Sequence, residues 1–240
     1  SAPAPVTAVF AGLLTKVGVY AILRTESLLF ITHDLSTLLF VIAICTMLVG
    51  ILGAVAQAGI RRLLSFTLVS HIGYMIFGIA IGTEAGWSAT VYYIAHHILV
   101  QTTLFLVTGL IERVAGTATL THLGGMLKRA PYVAVLFFIP MLNLGGLPPF
   151  SGFLGKLGLF IAGAEGTALG APSGLVWTGM AVGAATSLLT LYALIRVWNL
   201  GFWRSQEEVD ESQQVLSDHL EESPDCLLYT SDAADDMQCV

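Results

Sequence analysis

Residues 131–166 read PYVAVLFFIPMLNLGGLPPFSGFLGKLGLFIAGAEG. Two apolar runs flank an interruption at Asn143-Leu144-Gly145-Gly146-Leu147-Pro148-Pro149. Proline removes a backbone donor and clashes with the preceding turn, so Gly145, Gly146, Pro148 and Pro149 break any helix written through them. Two architectures fit: two membrane crossings joined by a hairpin, or one crossing made by a broken helix. Lys156 follows Pro149 by two helical turns, roughly 10 Å. An ammonium at membrane depth costs about 2.5–3.5 kcal/mol on insertion scales, so such a residue points by default to an ion or proton path. The start of the second half-helix brings partial positive charge close to that lysine.

Working outward, further runs are long enough to cross a hydrocarbon core of about 30 Å. They cover residues 5–29, 35–57, 63–82, 88–112 and 173–201. Loop charges choose between the two architectures. With one discontinuous crossing, Arg61, Arg62, Arg113, Lys128, Arg129, Arg196 and Arg204 share a side and only Arg24 takes the other. With two crossings, Arg196 and Arg204 change sides and the bias is largely lost. The first arrangement is adopted. It is an all-α polytopic bundle of about six transmembrane helices, one of them discontinuous, with residue 1 and the tail in the cytoplasm.

Composition agrees. Hydrophobic residues make up 55% of the 240 and charged residues 11%, too few to surface a soluble core of this size. Residues 1–204 hold all ten bases and five acids, so the membrane body is mildly basic; the last 36 residues hold eleven acids and no base. The domain reading is therefore a membrane domain over 1–204 and an acidic, disordered tail over 205–240. No basic patch interleaved with aromatics points to nucleic acid. Cys45, Cys226 and Cys239 form neither a disulfide framework nor a zinc site, and no metal is expected. The start, SAPAPVTAVF, lacks a basic n-region and does not read as a signal peptide.

Ionisable groups fall near mid-depth in four crossings: Lys16, His71, His96 with His97, and Lys156. In the span 63–82, Thr67, Ser70, His71 and Tyr74 recur at three- and four-residue spacing, which places them on one helical face. His97 and Gln101 share a face in the next span. Tyr20 stands four residues after Lys16, in position to orient its ammonium. Arg24 and Lys128, near span ends, read as snorkelling side chains. A histidine in a membrane helix also serves as a plain interhelical hydrogen bond, and Gln101 and the threonines suit that role. The span 35–57 offers only Cys45 and Thr46, and reads as a packing or lipid-facing element. Burial penalises the charged form of an amine, which suits Lys16 and Lys156 to release and regain a proton.

These residues also carry a resemblance. Lys16 in LLTKVGVYAILR, His71 in RRLLSFTLVSHIGYM, His96-His97 in YYIAHHILVQTTLFLVTGLIE and Lys156 in LNLGGLPPFSGFLGKLGLF together resemble the antiporter-like membrane subunits. These are found in respiratory complex I and in Mrp-type multisubunit sodium/proton antiporters, and the last two motifs are most similar to the D subunits of the latter, particularly actinobacterial ones. The resemblance covers residues 1–204. It implies helices eight to thirteen of a fourteen-helix fold built on two inverted repeats, with the twelfth broken. It implies that Lys16 is the central lysine linking two half-channels, that Lys156 ends the exit side and that His71 and His96 lie in the hydrated axis. With the residue spacing this gives an expected proton relay of Lys16, His71, His96, His97 and Lys156, with Gln101, Tyr20 and Thr67 as supporting, water-holding groups. Many relatives carry a lysine where Gln101 stands. The family's upstream glutamate and lysine sites precede the first residue, so the chain looks like a C-terminal fragment.

The function expected from the resemblance is a subunit of a sodium/proton antiporter in a bacterial cell membrane. Its partners would be other antiporter subunits, membrane lipid, protons and sodium ions, and it would be a transporter component rather than an enzyme, with no cofactor. Two alternatives stand beside it: a proton-translocating subunit of NADH:quinone oxidoreductase, and, remotely, a haem-binding cytochrome using His71 with His96 or His97. After Arg204 the family pattern ends. The terminal CLLYTSDAADDMQCV resembles translated sequencing-adaptor sequence, so residues from about 224 onward are expected to be non-native.

Overall fold

The computed structural model describes residues 4–29 and 35–211. Within them the chain is a helical bundle with a single isolated β-bridge. A spanning segment has no water to satisfy its backbone, so apolar runs of this length become helices. The first crossing joins α1 (Ala4–Val9), a π-helical turn (Phe10–Leu14) and α2 (Thr15–Leu29) end to end. Then come α3 (Ser36–Ala56), α4 (Ile60–Ala80) and α5 (Glu84–Ala115). A short α6 (Met126–Arg129) leads into α7 (Pro131–Gly145) and α8 (Ser151–Ala168), and α9 (Ser173–Trp198) ends in a second π-helical turn (Asn199–Trp203). Local chemistry sets the ends. Thr83 caps α5, accepting the Gly86 N–H at 3.1 Å, and Gly116 closes it in the left-handed region.

The ends of several helices are tied together on one side. The Ile60 N–H donates to the Ala118 carbonyl at 3.0 Å and the Leu120 N–H to that of Ala58 at 2.9 Å, joining the start of α4 to the loop after α5. Arg196 donates to the Val55 carbonyl at the end of α3, 2.9 Å away. Arg204, past the end of α9, donates through Nη2 to the carbonyls of Leu120, Thr121 and Leu123 at 2.9, 3.3 and 3.1 Å. The Gly125 N–H returns to the Arg204 carbonyl at 2.7 Å, just before α7. So α7 begins on the side where α9 ends. Only a short connection separates α8 from the opposite end of α9, hence α7 and α8 together cross once. At about 1.5 Å per residue the 15-residue α7 is about 22 Å long and falls short of the ~30 Å hydrocarbon core. The broken-crossing architecture inferred from loop charge is the one observed, and its seven bases sit on the tied side.

Two apolar clusters divide the interior. One, on the tied side, gathers Ala8, Ile51, Leu64, Leu104, Phe137 and Leu194 with their neighbours. The other gathers Val19, Phe40, Phe77, Tyr93, Leu159 and Val176. The first crossing and α3, α4, α5 and α9 each pass from one cluster to the other, while α7 belongs to the first and α8 to the second. The helix break therefore lies at the boundary between them.

The acidic segment begins with a short helix. Residues 206–211 are helical, and Val209 is buried against Gly124. Ser205 and Glu208 form a reciprocal capping box: the Glu208 N–H donates to Ser205 Oγ at 3.2 Å and the Ser205 N–H to Glu208 Oε2 at 3.3 Å. Charge composition alone hides that S-x-x-E signal. The rest of the proposed tail, including residues 224–240, lies outside the described residues.

A buried polar layer as the candidate functional site

Buried polar side chains collect at the boundary between the two apolar clusters. Lys16, Thr67, Ser70, His71, His96, His97, Gln101, Lys156, Thr186 and Thr190 are all buried there, the two amines being 4% and 5% exposed. Neither lysine snorkels.

Lys156 projects from α8 back across the break. Its Nζ donates to the carbonyls of Leu144 and Gly145 at 3.1 and 3.3 Å and to Ser187 Oγ of α9 at 2.8 Å. It also sits 5.3 Å from the centroid of the Tyr74 ring. Helical side chains lean toward their own N-terminus, so Lys156 meets the end of α7. The last carbonyls of α7 have no intrahelical donor, and a helix C-terminus carries partial negative charge. The break thus holds the ammonium with carbonyls. The sequence draws attention to the positive start of α8, whereas the negative end of α7 is what the amine touches.

From Lys156 the polar contacts continue as stacked rings. Tyr74 donates to the Gly183 carbonyl and pairs with Thr186 Oγ1 at 2.9 Å, which fixes it against α9. The rings of Tyr74 and Tyr93 lie 5.8 Å apart, those of His71 and Tyr74 5.6 Å, and those of His71 and His97 5.0 Å, all between centroids. His71 Nδ1 and the Tyr93 hydroxyl are hydrogen bonded at 2.5 Å. His96 lies on the other side of Tyr93, with ring centroids 5.7 Å apart. The contacts therefore run from Lys156 to Tyr74, then to His71 and His97.

Lys16 sits one residue into α2. Its Nζ donates to the Ala11 carbonyl at 3.0 Å and to Thr15 Oγ1 at 3.2 Å, and Thr15 donates to that same carbonyl at 3.2 Å. This carbonyl belongs to the π-helical turn that precedes α2. Gly12 within the turn lets the segment approach α5; a Cβ there would stand 2.2 Å from Thr102 Oγ1.

Several sequence expectations resolve differently. Tyr20 does not orient Lys16: the lysine leans back to residues 11 and 15, and Tyr20 is on the exposed side of α2. The polar residues of α4 do not share one task, because this helix is buried on nearly all sides. Ser70 donates to the Met47 carbonyl of α3 at 2.9 Å, while His71 and Tyr74 serve α5 and α9. Thr67 and Gln101 both donate to the Leu64 carbonyl, at 2.9 and 2.7 Å. Gln101 is thus an interhelical contact whose other end, Oε1, has no partner among the described residues. The same is true of His71 Nε2 and of both ring nitrogens of His97. Tyr93, Asn143, Ser151 and Ser187 escaped sequence reasoning. Tyr93 could have been found from its three-residue spacing to His96, and Ser187 from its place among Thr186 and Thr190 in α9.

The geometry leaves no slot for a porphyrin between His71 and His97. His71 and His97 are in ring contact at 5.0 Å, and the Tyr93 ring contacts those of both His71 and His96, 6.0 Å from the first and 5.7 Å from the second.

Comparison with known proteins decides the family. The model of the NADH:quinone oxidoreductase/Mrp antiporter transmembrane family matches residues 1–180. The chain belongs to this family. Within it, this antiporter-family chain is 42% identical over 212 residues to the D subunit of a Na(+)/H(+) antiporter of Alkalihalophilus pseudofirmus, covering 87% of the chain and 41% of that protein. It is 35% identical to the corresponding D subunit of a Na(+)/H(+) antiporter of Bacillus subtilis, covering 86% of the chain and 41% of that protein. Among solved structures it is similar to a chain of the Mrp complex from Dietzia sp., with a TM-score of 0.75 and 38% identity, covering 81% of this chain and 35% of that one. It is also similar to a chain of respiratory complex I from Thermus thermophilus, with a TM-score of 0.70 and 26% identity, covering 85% and 42%. The chain spans about two fifths of the length of the curated relatives. The family match thus covers every lysine and histidine of the buried polar layer.

Proposed function

We propose that the chain is the C-terminal part of a D-type subunit of a multisubunit sodium/proton antiporter in a bacterial cell membrane, and that protons move through its buried polar layer. The observation that carries this reading is the set of ring contacts that runs from the buried amine Lys156 through Tyr74 and His71 to His97, with a second buried amine, Lys16, in the same polar layer. Tyr93 belongs to the row through its hydroxyl on His71, and His96 adjoins it through the Tyr93 ring. A lysine alternates between ammonium and amine when desolvated, and a histidine accepts or donates at either ring nitrogen. The unpartnered nitrogens of His71 and His97 and the Oε1 of Gln101 are suited to ordered water, since buried polar groups are almost always hydrogen bonded. Charge on one site raises the energy of charging the next, by about 4 kcal/mol for unit charges 4 Å apart at an effective dielectric of 20, and less at larger separations. That repulsion drives protons along the row and couples their entry to sodium exit through the partner subunits.

The higher identity to antiporter subunits favours this over the complex I role, in which the same row would move protons under quinone reduction. The tied side, with its seven bases, would face the cytoplasm. The test is Lys156→Ala in the full-length subunit within its complex, assayed for sodium-dependent proton movement in everted vesicles. Loss of exchange is expected. Unchanged exchange would remove Lys156 from the path.

A further inference from the structure

His96 has a partner outside the row. Its Nδ1 lies 3.0 Å from Ser151 Oγ, on the first residue of α8. Ser151 Oγ is in turn 3.2 Å from Asn143 Oδ1, on the last turn of α7. Asn143 Oδ1 also accepts the Gly152 N–H at 2.9 Å. These contacts bridge the helix break opposite the carbonyls that hold Lys156.

Hydrogen-bond accounting settles where the protons sit. A backbone N–H can only donate, so the asparagine atom facing Gly152 is its carbonyl oxygen and accepts. That same oxygen faces Ser151, so the serine hydroxyl must spend its single proton there. What Ser151 presents to His96 is then a lone pair, and Nδ1 must carry a hydrogen to fill it. The neutral ring is thereby held in one tautomer, leaving Nε2 as the nitrogen that gains and loses a proton.

We propose that Ser151 and Asn143 are positioning residues that hold His96 in its Nδ1–H tautomer and tie that ring to the break that also holds Lys156. Deleting the serine hydroxyl frees the ring; keeping a hydroxyl in the same place keeps the tautomer. The groups around His96 that share its proton balance are Lys156 of α8, His71 of α4 and His97 and Tyr93 of α5. The proposal rests on the relay reading for its consequence, though not for its geometry.

The test uses the full-length subunit in its complex, labelled with 15N-histidine in membranes. His96 is identified by the resonances lost in His96→Gln. At about pH 9, above the ordinary histidine range, the ring is neutral and its protonated and unprotonated nitrogens resonate apart. Wild type and Ser151→Thr should show a protonated Nδ1 and a bare Nε2, and Ser151→Ala should lose that preference. A wild-type ring protonated at Nε2 overturns the proposal, even if Ser151→Ala fails to assemble; so does a tautomer indifferent to Ser151→Ala. In vesicles, Ser151→Ala should slow sodium-dependent proton movement about 10- to 100-fold, the scale on which removing an imidazole's orienting partner acts at metal sites, with Ser151→Thr restoring it. Absence of exchange in wild type would overturn the relay reading alone, because the spectrum still decides the tautomer.

Discussion

The Lys156 ammonium donates to the Gly145 carbonyl at 3.3 Å, eleven residues back along the chain and across the helix break. One side chain thus closes the end of α7 while carrying a charge that can be given up. The two roles separate in substitution. Arginine at this position would still offer donors to the α7 carbonyls, but it does not release its proton. Lys156→Arg should leave more assembled subunit in the membrane than Lys156→Ala, while both lose sodium-dependent proton movement. Exchange retained in Lys156→Arg would mean that this amine never cycles between its two forms.

Gly146 tests whether the amine's position matters. It sits at φ +83°, and a Cβ there would lie 3.1 Å from both Nζ and Cδ of Lys156. Gly116 sits at φ +80° with nothing near its Cβ direction. Alanine in the left-handed region costs about 1–2 kcal/mol at either place. Only Gly146→Ala also pushes on Lys156, so it should slow exchange in vesicles several-fold at equal subunit abundance, and Gly116→Ala should not. Equal effects would make the break a matter of backbone strain alone.

Those two positions also show what a sequence makes legible here. Gly145-Gly146 and Pro148-Pro149 announce the break because their backbone limits are intrinsic to the residue types. The bias of Arg196 and Arg204 toward one side announces a single crossing, because charge on a loop does not depend on packing. Lys16 and Lys156 announce the polar layer because a central charge is expensive in lipid. What Lys156 touches was not legible, since side-chain lean places it on a helix end eleven residues upstream. Ser151 and Asn143 were hidden for a related reason. They are ordinary polar residues next to a break, and only the return of α8 against α5 brings them to His96. Tyr20 misled because i to i+4 spacing marks a shared face, whereas a lysine reaches back toward the N-terminus.

Arg204 and Glu112 are both charged groups on the tied side, with unequal expected weight. Arg204 Nη2 serves three loop carbonyls, and its Nε is buried without a partner among the described residues. Glu112 pairs with Arg61 where the side chains are 29% and 25% exposed. Hydrogen bonds to a charged group contribute about 1.5–3 kcal/mol, whereas an ion pair partly open to solvent contributes about 0–1 kcal/mol. Arg204→Met should lower the thermal midpoint of the detergent-solubilised complex clearly, and Glu112→Gln should hardly move it. The reverse order would show that the loop holds α9 by other means.

Tyr93 and Ser70 separate the polar layer from simple packing. Both are fully buried and both hydrogen bond to a neighbouring helix. The Tyr93 hydroxyl meets His71 Nδ1 at 2.5 Å, within the row, while Ser70 meets the Met47 carbonyl on the α3 side at 2.9 Å. Tyr93→Phe keeps the ring that contacts His71 and His96 and removes only the hydroxyl, leaving a histidine nitrogen to find another partner. Ser70→Ala leaves a backbone carbonyl that is already bonded within its own helix. Each change removes one neutral hydrogen bond, about 0.5–1.5 kcal/mol, so stability should fall by similar amounts. Exchange should not: Tyr93→Phe should slow sodium-dependent proton movement by about tenfold or more, the low end of what a positioned proton-transfer partner is worth being about a hundredfold, and Ser70→Ala should leave it near wild type. The measurement is the initial rate of sodium-induced proton movement per assembled complex, and equal rates for the two variants would place Tyr93 outside the conducting row.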